Sequence, residues 1–245
     1  MRRIAVIAAV TGITACVGAA GAGGATGGLP QGSDHVELDP ADFTTKITNP
    51  YWPMRPGSSW RFRETTPGGR PSKVVIKVTS RTKQMPNGVT ARVVRDTHTE
   101  HGTLVEDTFD YYAQDSHGNI WYLGELSKQY EHGKFKRSAG SFEAGAGGAE
   151  AGIAIPAAPV RGLKYRHEYL QGEAEDRASV ISLHEQVGVP AGHYSDVLMT
   201  RDDNPVDPRV LEYKFFARGV GPVLEFGVSG GNDRTDLVRF RRGRR

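Results

Sequence analysis

The stretch TLVEDTFDYYAQD (103–115) sets Val105, Asp107, Phe109 and Tyr111 in alternation with Glu106, Thr108, Asp110 and Tyr112. A two-residue period is that of a β-strand, and no helix gathers such a set onto one face. The signature recurs along the chain. KVVIKV (73–78) and TARVVRD (90–96) are rich in β-branched residues, and MPNG (85–88) between them carries an Asn-Gly turn. DSHGN (115–119) reads as the next turn, with NIWYLGE (119–125) returning from it. Further strands are expected in GLKYRHEYL (162–170), ASVISLHEQVGV (178–189), HYSDVLMT (193–200), RVLEYKFFA (209–217) and GPVLEFGV (221–228).

In RVLEYKFFA, Leu211, Tyr213 and Phe215 share one face, and Glu212 and Lys214 share the other. Strands with one wet face belong to antiparallel sheets. With about ten strands and no long amphipathic helix, the expected fold is all-β. It is a single antiparallel domain built as an open barrel, curled sheet or sandwich. A long Gly/Ala-rich segment, SAGSFEAGAGGAEAGIAIPAAPV (138–160), interrupts the strands. Loops of that length in a compact domain are usually lids or binding loops. Ile153, Ala154 and Ile155 give this one apolar groups to bury, so an ordered loop over one end of the sheet is expected.

The N-terminus has its own logic. Arg2 and Arg3 precede the apolar run IAVIAAVTGITA (4–15), an export signal too short to span a membrane. Cys16 is the chain's one cysteine and closes ITAC (13–16), which looks like a bacterial lipobox. The alternatives are lipidation at Cys16, which gives a membrane anchor, or ordinary cleavage within VGAAGAGGATGG (17–28). The expected organisation is signal and start of tether over 1–28, flexible linker over 29–38, one β-rich domain over 39–238 and a basic tail over 239–245. No disulfide can form downstream of Cys16, so a hydrophobic core must hold the fold unaided.

The net charge of +3 conceals an asymmetry. Seven arginines lie at positions 2 and 3 and in the closing RFRRGRR, and without them the 28 acidic residues outnumber the basic ones. The body is therefore not a nucleic-acid-binding surface.

Motifs that would carry chemistry fail on spacing. In HTEH (98–101) a strand places His98 and Glu100 on one face and His101 on the other. In DSHGN the glycine comes at position 4 and Glu125 at position 11, out of register for a calcium loop. No nucleophile elbow, phosphate loop or dinucleotide fingerprint occurs, so no cofactor or metal is expected. What remains is aromatics, which line ligand sites and also fill β cores, and carboxylates dense enough for acid–base work. The candidate ligand contacts are Tyr112, Trp121, Phe142, Glu143, Glu175 and Asp176.

Six blocks then occur in order: ITNPYWPMRPGSSWRF, DYYAQDSHGNIWYLGE, GSFEAGAGGAEAGIAIPAAP, EYLQGEAEDRASV, VPAGHYSDVLMT and EYKFFARGVGPVLE. Together they resemble a family of exported bacterial proteins with no assigned activity. The resemblance runs from about Asp39 to Glu225 and implies a single domain. Phe142 stands where that family's pattern favours Trp, and Arg218 where Pro is common. Three functions fit. One is a monomeric envelope domain binding a small or lipidic ligand or an envelope protein. The others are a carboxylate-dependent hydrolase or lyase of extracellular carbohydrate, using Glu143 with Glu175 or Asp176, and a structural surface domain without a pocket. Within NPYWPMRPGSSW (49–60) the prolines enforce extended geometry, so this stretch should plug the entrance to the first strand.

Overall fold

The expected strands form and pair throughout. The structure, a computed structural model, describes residues 28–131, 134–137 and 141–244. After a short 3-10 turn at Pro40–Asp42 come β1 (Phe43–Thr44), β2 (Ser59–Thr65), β3 (Ser72–Gln84), β4 (Thr90–Glu100) and β5 (Thr103–Asp115). The middle of the chain supplies β6 (Ile120–Glu131), β7 (Lys134–Arg137), β8 (Glu150–Ile155), β9 (Lys164–Arg166) and β10 (Glu168–Tyr169). β11 (Arg177–Val189), β12 (Gly192–Asp203), β13 (Leu211–Ala217), β14 (Gly221–Ser229) and β15 (Arg234–Arg241) complete it.

Thirteen of these strands follow one antiparallel path, β10-β8-β6-β5-β4-β3-β2-β15-β14-β13-β12-β11-β9. The two ends of the path, β9 and β10, are separated in the chain by His167 alone. The first half of this extended segment pairs with β11 and the second with β8, so the sheet curls into a nearly closed barrel. The count exceeds the expected ten because short strands such as β1, β9 and β10 carry too few residues for a readable period.

Turn chemistry sets the hairpins. The MPNG turn joins β3 to β4, with Met85 and Val89 bonded across it. His101 and Gly102 both adopt positive φ, 50° and 82°, as a two-residue turn matched to strand twist requires. That conformation accounts for the histidine as a turn residue. In DSHGN, one Asp115 oxygen accepts the backbone N–H groups of His117 and Asn119. The other accepts from the Asn119 amide at 2.7 Å and from Trp121 Nε1 at 2.8 Å. The carboxylate that resembled a calcium ligand is saturated by its own turn.

Three expectations about the ends and the long loop need correction. The 29–38 segment is not a free linker. The fully buried Arg166 donates to the carbonyls of Gly32, at 2.9 Å, and Asp34. The tail does not begin at 239, because Arg239, Phe240 and Arg241 pair with Arg61, Trp60 and Ser59, and Phe240 stacks on Trp60. The Gly/Ala-rich segment is wall, not lid. Its second half is β8, paired with β6, and Glu143 bridges to Gly124. Gly124 is needed there, since a Cβ would meet Phe142 O at 2.2 Å.

Tyr51, Trp52 and Met54 are buried inside one end of the barrel, as the plug reading expects. Asn49 pins the plug by donating to Gly118 O and Pro156 O while accepting from Tyr51 N–H. Replacing Asp115 with Ala strands the buried Trp121 donor and the half-buried Asn119 donors and should cost about 2–4 kcal/mol. Urea unfolding of Asp115→Ala against the parent chain measures this, with the loss expected as a lower midpoint.

Candidate functional site

Strand alternation fixes what faces the barrel interior, and on β5 and β13 the inward face is largely the polar one. On β5 the inward residues include Glu106, Asp110 and Tyr112, which line a cavity of about 320 Å³. The opposite residue set points outward, where Phe109 lies under the cations Arg81, Arg95 and Lys128. On β13 the same holds: Glu212, Lys214 and Phe216 face the cavity. Tyr213 and Phe215 instead meet Phe226 across the other face.

Strands from nearly the whole circumference contribute to this lining. Trp52, Phe62, Val74, Val94, Tyr112, Phe216 and Leu224 supply its apolar part. Trp52 is central to it, with ring centroids 5.4 Å from Tyr112 and 6.1 Å from Phe216. The rest is acidic. Eleven carboxylates line the cavity, against Lys214 and His167 as basic groups.

The electrostatics follow from that imbalance. Lys214 Nζ lies 3.0 Å from Asp202 and 3.8 Å from Glu212. Burial opposes the Lys214 charge, but Asp202, Glu225 and Glu212 outweigh it and hold the ammonium's pKa well above its ordinary value. Burial also works against the Asp202 charge. Lys214 and His167, the latter 3.2 Å away, overcome it and hold Asp202 well below the usual carboxylate range. Glu212 goes the other way, raised by burial and then by Glu225 to about 7. Glu168 is raised well above the ordinary value by burial, by the charges of Asp176 and Glu125, and by a hydrogen bond with Asp176. Tyr122 donates to Asp110 at 3.1 Å and to Glu125 at 3.0 Å, and burial leads those two charges in raising its phenol. The site is thus a low-dielectric chamber holding shared protons and one fixed cation.

No family model matches the chain, and no curated protein matches it. Among solved structures it is similar to a Parabacteroides distasonis ATCC 8503 protein described as a candidate lipoprotein. The two share 13% identity over 78% of this chain and 98% of the other, with a TM-score of 0.36. At that level the similarity carries no argument about site or function.

Of the six residues singled out from the sequence, the structure brings Tyr112 and Asp176 to the cavity. The other four lie elsewhere. Trp121 donates to Asp115, and Phe142 packs edge-on against Tyr122 in a small cluster with Ala149 and Ala174. Glu143 pairs with Lys83 at 2.6 Å, and Glu175 accepts from Gly172 N–H in a turn. Glu168, Asp202, Glu212, Lys214 and Glu225 were not singled out. Their signal was the Glu212/Lys214 alternation, which was legible as a wet face but not as an inward one. Among the described residues no group of His, Cys, Asp or Glu converges as a metal site. Cys16 lies outside the described residues.

These shifts give the fold an acid-side stability maximum. Glu168 and Glu212 hold protons more tightly when folded, so stability rises as pH falls from above 7 towards about 4.5. Glu212 alone contributes about 3 kcal/mol to that rise. Asp202 has a depressed folded pKa, so its contribution is lost as pH falls below about 3.8. Thermal melts from pH 4 to 8 should peak near pH 4–5. The Glu168→Gln/Glu212→Gln variant should show a flatter profile and a higher Tm at pH 8 than the parent.

Proposed function

We propose that this chain is an exported, envelope-associated binding protein whose barrel holds a small ligand in its interior. One observation carries the reading: a cavity of about 320 Å³, with an apolar aromatic end and a polar end, walled by the barrel itself. That size falls in the range of small-molecule sites, about 300–1,000 Å³, and convergent polar groups on an apolar wall are their usual construction. The export signal and ITAC at 13–16 support placement outside the cytoplasm, with Cys16 as the lipid attachment point.

The hydrolase reading has less support. Glu143 and Glu175 do not line the cavity. Asp176, which does line it, is hydrogen-bonded directly to Glu168. Glycosidase pairs stand about 5–10 Å apart to admit substrate or water between them.

Two measurements test the proposal. 1-Aminoanthracene, neutral at pH 7 and fluorescent when buried, should bind saturably at one molecule per chain. Ala154 lines the cavity from β8, so Ala154→Phe should weaken binding at least ten-fold while a cooperative melt is retained. The reading fails if no saturable signal appears, or if Ala154→Phe leaves it unchanged. Mass spectrometry of the mature N-terminus should show a diacylglyceryl-modified Cys16. An unmodified chain starting beyond residue 16 would remove the anchor.

A further inference from the structure

The cavity's two ends differ in chemistry, and together they specify a ligand more narrowly than volume does. At one end the Trp52, Tyr112 and Phe216 rings present flat apolar faces. At the other, Glu168, Asp176, Glu212 and Glu225 crowd around a single ammonium that Asp202 already engages at 3.0 Å. Carboxylates crowded together in a partly buried space repel one another, and either protons or an incoming cation relieves the repulsion.

Of the buried polar atoms without partners among the described residues, the Trp52 N–H is a donor lying beside Gly221 and calls for an acceptor, not a cation. Trp52 Nε1 and Tyr165 Oη have no hydrogen-bond partner. Trp52 is 9% exposed and lines the cavity. Tyr165, with 0% exposure, lies in one cross-strand row with Ala178, Asp202 and Glu212, which puts its ring on the inward face. After burial, the Asp202 charge is what most raises this phenol, which ties Tyr165 to the acidic side of the wall.

From this geometry we infer that the interior site takes an organic cation, an apolar or aromatic body carrying an amine or ammonium group. The body packs among Trp52, Tyr112 and Phe216. The charged group sits among the carboxylates. Because the carboxylates are spread along the wall and do not converge on a point, the arrangement suits a diffuse, bulky cation better than a compact metal ion. Aromatic faces beside an anionic wall are the usual means of holding such a group.

The inference rests on the interior-binding reading, and three indole probes separate the two. Tryptamine carries an ammonium at pH 7, 3-methylindole is neutral, and indole-3-propionate is anionic. Calorimetric titration at pH 7.5 should give tryptamine at least ten-fold tighter than 3-methylindole, with indole-3-propionate weakest. Glu225→Gln should reduce the tryptamine preference and leave 3-methylindole affinity within two-fold, which also reports that the cavity is intact. Equal affinity for the three probes, or a preference for the neutral or anionic one, overturns the cation inference and leaves interior binding standing. If none of the three binds, the cation inference falls, and the 1-aminoanthracene titration alone decides interior binding.

Discussion

Lys214 is the charge around which the interior is assembled. An acidic lining of this density would resist burial, since each carboxylate loses hydration and gains like-charged neighbours. One ammonium within 3.0 Å of Asp202 and 3.8 Å of Glu212 offsets much of that cost. The remainder is met by protonation, which is why Glu168 and Glu212 are raised while Asp202 is lowered. Removing the Lys214 ammonium would cost about 3–5 kcal/mol, because Asp202 is then left without its principal partner. The chamber is therefore a balanced charge system, and its fold, titration and ligand preference are not separable.

A second buried cation holds the barrel's seam. The sheet's ends meet on the segment Lys164–Tyr169, which pairs with β11 through three residues and with β8 through two. Such short ladders are weak alone. Arg166 reinforces them by donating to Ala151 O on β8 at 3.0 Å and to the carbonyls of Gly32 and Asp34. The stretch before the first strand becomes part of the wall. Gly152 makes this approach feasible, because a Cβ there would meet His167 O at 2.3 Å.

The strands, their hairpins and the plug were legible in the sequence, because two-residue alternation, Asn-Gly turns and X-Pro constraints act over a few residues. What alternation cannot report is which face turns inward. For β5 and β13 the polar set faces the cavity, the opposite of a sheet packed on a core, and that polarity is set by closure of the whole barrel. The candidate site inherits the difficulty. Tyr112 and Asp176 were found because aromatics and acid clusters stand out locally. Lys214 and its partners gain their meaning from residues on β10, β12 and β14. The linker and tail were misjudged for a similar reason: Gly32 and Arg241 read as solvent-exposed chain until their distant partners, Arg166 and Ser59, are known.

The pairing of β2 with β15 joins residues 59–65 to 234–241 across nearly the whole sequence. Contacts that distant close slowly, since the loop entropy must be met before the ladder forms. The first full strand therefore stays without one neighbour until residues 234–241 are in place. The plug ahead of it likewise waits for Gly219, whose N–H bonds Pro50 O. The barrel is consequently a structure whose closure waits on the meeting of residues 59–65 with 234–241.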